Sequence, residues 1–81
     1  MASRESAEEK AQRLISQELK KLGWGDQTLA QTRRGDSGKL QIALRLRRET
    51  TMTLAWIAHR LQIGTKTHLA HLLYWRARAT S

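Results

Sequence analysis

The apolar side chains of this 81-residue chain are 12 Leu, 10 Ala, 4 Ile, 3 Trp, 2 Met and 1 Tyr, with no Val, Phe or Pro at all. β-branched and aromatic residues are what fit a pleated sheet, whereas Leu and Ala are among the best helix formers. An all-α fold follows. At 9.3 kDa a folded chain buries only about 60% of the surface its unfolded form exposes, which allows one thin core and no large internal substrate cavity. The expected architecture is a small single-domain bundle of four to five helices, spanning residues 1–81.

Local signals place those helices. Ser6 and Glu9 have capping-box spacing, and Ala11, Leu14, Ile15, Leu19 and Leu22 follow at helical intervals, so a first helix is expected over 6–23 after a flexible tail at 1–5. Gly23 can close it in the left-handed conformation, with Trp24 folding back as a core residue. Asp26 starts a short helix over 26–32, and Asp36 caps another over 37–50. In that third helix Leu40, Ile42, Ala43, Leu44 and Leu46 are the apolar residues, leaving Gln41, Arg45 and Arg48 as a basic stripe. Thr53 caps a fourth, with Leu54, Ile57, Ala58 and Leu61 repeating at i, i+3, i+4, i+7. After Ile63-Gly64-Thr65, a fifth turns Leu69, Leu72 and Leu73 inward.

The last two helices, over 53–78, read as a helix-turn-helix, with a generic helical hairpin as the plainer alternative. Ala58 is small enough for a close helix crossing, and Leu61 and Ile63 serve as wedges. Gln62 stands where Gly is commonest and Leu69 comes one place late, so the turn is read as one residue longer than usual. With the leucines inward, Lys66, Thr67, His68, His71, Trp75 and Arg78 face outward. Thr65 and Thr67 suit phosphates, and His68 and His71 suit base edges. Either Tyr74 or Trp75 is expected to cap the core against the first helix.

Charge is segregated along the chain. Residues 1–26 carry five basic and five acidic side chains, whereas residues 27–81 carry ten basic and two acidic ones, which accounts for the whole net charge of +8. A basic half attracts polyanions by steering and counterion release, so nucleic acid, and DNA first, is the expected partner. Arg33, Arg34, Lys39, Arg45 and Arg48 are the candidate backbone clamps, with Lys66, Thr67, His68, His71 and Arg78 on the candidate recognition helix. A membrane partner is disfavoured, because no run approaches about 18 apolar residues and no helix pairs a broad apolar face with a basic rim. The absence of Cys removes disulfides and thiolate metal sites and fits a reducing cytoplasm, where a DNA binder would be nucleoid-associated.

The run Glu49-Thr50-Thr51-Met52-Thr53-Leu54-Ala55-Trp56-Ile57-Ala58, with Arg34–Lys39 before it and Leu61–Gly64 and Leu72–Tyr74 after it, resembles the C-terminal helical region of IS200-like, REP-associated tyrosine transposases. The segment Ala7–Trp24 looks like the part leading into it. The resemblance implies a DNA-associated helical appendage beside a transposase catalytic domain, and a homodimer is the other protein partner expected. It does not extend to catalysis. Those enzymes hold a metal with two histidines flanking one apolar residue and use a tyrosine nucleophile; His68-Leu69-Ala70-His71 has other spacing, so Tyr74 inherits no nucleophile role. The chain is either a free-standing relative of the appendage or a piece of a longer protein.

No other constellation points to catalysis. His68 and His71 lack the further ligands a zinc site requires. Gly35-Asp36-Ser37-Gly38-Lys39 lacks both the glycine spacing and the Ser or Thr of a phosphate loop. No cofactor, metal or enzymatic activity is therefore expected. The competing reading is a helical protein interaction or dimerisation module using Trp56 and Trp75.

Overall fold

The computed structural model describes residues 4–80. It contains five helices, α1 (Ala7–Leu22), α2 (Asp26–Gln31), α3 (Ser37–Glu49), α4 (Leu54–Arg60) and α5 (Lys66–Thr80), and no strand among the described residues. α3 packs against α1, α4 and α5, and α4 packs against α5. The core lies among these helices. Ala11, Leu14, Ile15, Leu29, Ile42, Ala43, Leu46, Ile57, Ala58, Leu61, Ile63 and Leu69 are buried in it.

Each helix end has a local cause. The Ser6 hydroxyl accepts the Glu9 N–H at 3.1 Å while the Glu9 carboxylate accepts the Ser6 N–H at 3.0 Å, the reciprocal pairing expected of that spacing. Part of the tail expected over 1–5 lies outside the described residues, but Glu5 is tied down by a two-pronged ion pair with Arg13. Gly23 closes α1 at φ +71°, and the Trp24 N–H donates to the Leu19 carbonyl at 2.9 Å. The Trp24 indole, half-buried, then lies over the start of α3. A Cβ built on Gly38 would stand 2.8 Å from Trp24 Cη2, so only glycine lets the ring close there. Asp36 and Thr53 cap α3 and α4 through their side chains.

Between α4 and α5 the chain turns over residues 61–65. The Ile63 N–H reaches the Ala58 carbonyl at 2.9 Å and the Gln62 N–H reaches the His59 carbonyl at 3.2 Å, with Gln62 at φ +57°. This is a glycine-type helix stop made by glutamine, which explains how the turn closes without glycine at that position. A non-glycine residue in this region is strained by roughly 1 kcal/mol. Gln62→Gly is therefore expected to raise stability by about 0.5 kcal/mol, since the relief exceeds the extra entropy of the unfolded chain. A lower urea midpoint for that variant would show that the glutamine side chain contributes something the backbone does not.

Two expectations are corrected. Tyr74 and Trp75 are 55% and 54% exposed, so neither caps the core against α1. The inward face of α5 is already filled by Leu69 and Leu73, with Leu72 half-buried, and this turns the aromatic pair outward. Lys39 is completely buried instead of lying on the surface.

Candidate nucleic-acid interface

The outer side of α5 begins at its cap. The Thr65 hydroxyl accepts the His68 N–H at 3.1 Å, so Thr65 ends the turn and caps the helix, while its O–H remains a donor on the exposed surface. Lys66, Thr67, His68, His71 and Arg78 are all exposed. Residues 67, 71, 74 and 78 follow one another at three- and four-residue intervals, forming a ridge opposite Leu69 and Leu73. The indole N–H of Trp75 donates to His71 Nε2 at 2.7 Å. Arg78 donates to the Tyr74 hydroxyl at 3.1 Å, and its Cζ lies 5.7 Å and 5.9 Å from the Tyr74 and Trp75 ring centres.

The five candidate backbone clamps do not form one surface. Arg33 and Arg34 are exposed on the α2–α3 connection and border a groove of about 750 Å³, whose other wall is the end of α4 and the following turn, with His59, Arg60, Gln62 and Gly64. The Arg34 side chain runs beside the turn: a Cβ built on Gly64 would meet Arg34 Cδ and Nη1 at 3.6 Å and His68 Cδ2 at 3.8 Å. The groove thus opens beside the first turn of α5. His59 and Arg60 are missing from the expectation, because the helical repeat of α4 marks them as polar without revealing which loop crosses in front of them.

Arg48 is exposed but belongs to a separate cleft with Gln41, Leu44 and Arg76. Arg45 is diverted to structure. It donates to Glu18 of α1 at 3.1 Å and to Glu49 at 3.0 Å, so it ties α1 to α3 and its charge is already matched by two carboxylates. Lys39 is corrected further. Its ammonium donates to the Gln62 carbonyl at 3.1 Å, pinning the α4–α5 turn from below. Burial pushes the Lys39 pKa below the ordinary lysine range, with Asp36 opposing the shift and Arg34 adding to it.

Glu18 is held below the usual carboxylate range by the hydrogen bond from Lys21 and by the charges of Lys21 and Arg45, against the desolvation of its partial burial. A carboxylate with a lowered folded pKa stabilises the protein above its unfolded value, and that contribution disappears as pH falls through the folded one. Glu18→Gln should therefore cost about 0.5–1 kcal/mol at pH 7 and almost nothing at a pH low enough to protonate the Glu18 carboxyl in the folded state. Urea denaturation at the two pH values checks this, and an equal loss at both would mean that the α1–α3 ion pair contributes no charge-dependent stability.

Among the described residues no helix is long and apolar enough to cross a membrane, and no three His, Cys, Asp or Glu side chains come together in a way that could hold a metal ion. No family model, curated protein or solved structure matches the chain.

Proposed function

We propose that this chain is a noncatalytic DNA-binding module in which α5 enters the major groove and the cations at the α2–α3 connection hold the phosphate backbone. The observation that supports it most is the exposed polar surface of α5. Lys66, Thr67, His68, His71 and Arg78 stand exposed on the second helix of a tightly turned pair, whose leucines face the core. A helix of this kind is about the width the major groove admits, and its first turn carries short polar side chains for base edges and phosphates. The segregated positive charge fits the same reading. So does the resemblance to a transposase-associated helical region, with a catalytic domain or a second copy as protein partner.

Fluorescence anisotropy with a panel of duplexes tests the assignment of roles. Lys66→Gln is expected to weaken binding to all sequences alike and to lower the salt slope by about 1, as loss of a phosphate contact does. Thr67→Val and His68→Ala are expected to change the ranking of sequences, since a base contact discriminates by about 1–3 kcal/mol. Uniform losses from all three substitutions would demote α5 from reader to scaffold.

The interaction-module reading keeps one observation in its favour, the half-exposed Tyr74 and Trp75. Trp56 no longer serves it, because that ring is half-buried and packed against the core. A concentration-dependent sedimentation shift abolished by Trp75→Ala would favour this reading over DNA binding.

A further inference from the structure

Two sets of arginines contrast sharply. Arg13 meets Glu5, and Arg45 meets Glu18 and Glu49. The groove between the α2–α3 connection and the end of α4 instead gathers Arg33, Arg34, Arg60 and His59, and no carboxylate lines it. Arg33 and Arg34 form no ion pair among the described residues. Arg60 has its Nε engaged by the Gln12 side chain at 2.9 Å, which orients the guanidinium and leaves its Nη groups for another acceptor. The Arg34 charge is felt as far as buried Lys39, where it helps to disfavour the ammonium. Like charges drawn together in a concavity repel one another, and an anion entering it relieves that repulsion. Gly64, whose φ of +106° favours glycine, lies beside the Arg34 side chain at the groove mouth.

We propose that this groove is a phosphate-binding cleft for adjacent phosphate groups, with Arg34 and Arg60 as its two forks and Arg33 and His59 on its rim. A guanidinium presents paired N–H donors that match two oxygens of one phosphate, so two forks suit two phosphates better than they suit a single carboxylate. The phosphates come either from a nucleic-acid backbone, which rests on the DNA-binding reading, or from a free polyphosphate, which does not.

The test is a ¹⁵N–¹H titration of the whole chain with sodium pyrophosphate, with sodium chloride at matched ionic strength as the reference, followed by a DNA duplex. Pyrophosphate is expected to give saturable shifts confined to residues 30–34 and 58–64. Arg33→Gln combined with Arg34→Gln is expected to weaken its binding by roughly tenfold or more, whereas Arg47→Gln, exposed and outside the groove, leaves it unchanged. Both groove arginines sit on the surface, and an unaltered melting curve confirms that the double variant folds. Shifts reproduced by chloride, or spread evenly over the basic surface, overturn the proposal. Saturable groove shifts without duplex binding support it and identify a polyphosphate site while refuting the DNA reading. Duplex binding that is indifferent to the double variant, with no pyrophosphate response, overturns the groove and leaves the α5 reading intact.

Discussion

Ile57→Ala should lower stability by about 3 kcal/mol, within the 2–5 kcal/mol typical of truncating a buried aliphatic side chain to alanine. Ile57 is fully buried on α4, which packs against both α3 and α5, so the cavity it leaves borders the joint on which the whole carboxyl-terminal half depends. A domain of this length has roughly 4–12 kcal/mol of stability in total. The substitution would therefore remove a large part of it and lower the melting temperature by roughly 12–24 °C, at about 4–8 °C per kcal/mol. Leu22→Ala is the matched control. Leu22 is 39% exposed at the end of α1 and leaves no cavity, so its loss should cost under about 1 kcal/mol. Melting curves that rank the two variants equally, or a loss below about 1 kcal/mol for Ile57→Ala, would mean that α4 is not packed against α3 and α5 as described.

The same joint explains what could be read from the sequence. Helix ends were legible because their causes are local: Ser6 with Glu9, Gly23 in the left-handed region, and Asp36 and Thr53 as caps all act within a few residues of themselves. Leu69 and Leu73 were legible for the same reason, since periodicity alone puts them on one side of α5. Lys39 was not. It occupies the first position of the stripe 39, 42, 43, 46 that faces the core, but its charge argued for the surface. What keeps it inside is a carbonyl 23 positions away, exposed by the strained Gln62 turn. Arg45's ion pairs were hidden in a similar way, because its partner Glu18 lies 27 positions earlier, in the stretch 1–26 that is neutral overall. The α5 sequence has apolar residues on every side, Leu69, Leu72, Leu73, Tyr74 and Trp75, so only packing decides that the aromatic pair is left outside.

These corrections narrow the candidate interface and make it more coherent. Lys39 and Arg45 leave it for structural duties, and Arg48 moves to another cleft. What remains is the α5 ridge together with the Arg33–Arg34 groove, adjoining where Arg34, Gly64 and His68 meet. Lys39 keeps an indirect part. By holding the Gln62 carbonyl it fixes the turn that sets α5 against the groove.

The second large effect is the salt dependence of duplex binding, and it tests the central claim most directly. If Arg33, Arg34, Arg60, Lys66 and Arg78 each neutralise one phosphate, log affinity falls linearly with log salt at a slope of about −4 to −5, from about −0.9 per contact. Between about 50 and 200 mM salt that amounts to a loss of roughly 500-fold. Anisotropy titrations of the unmodified chain across that range should give this slope. A flat response, or no measurable binding at about 50–100 mM salt, would contradict the account and leave a helical domain whose basic half serves something other than DNA.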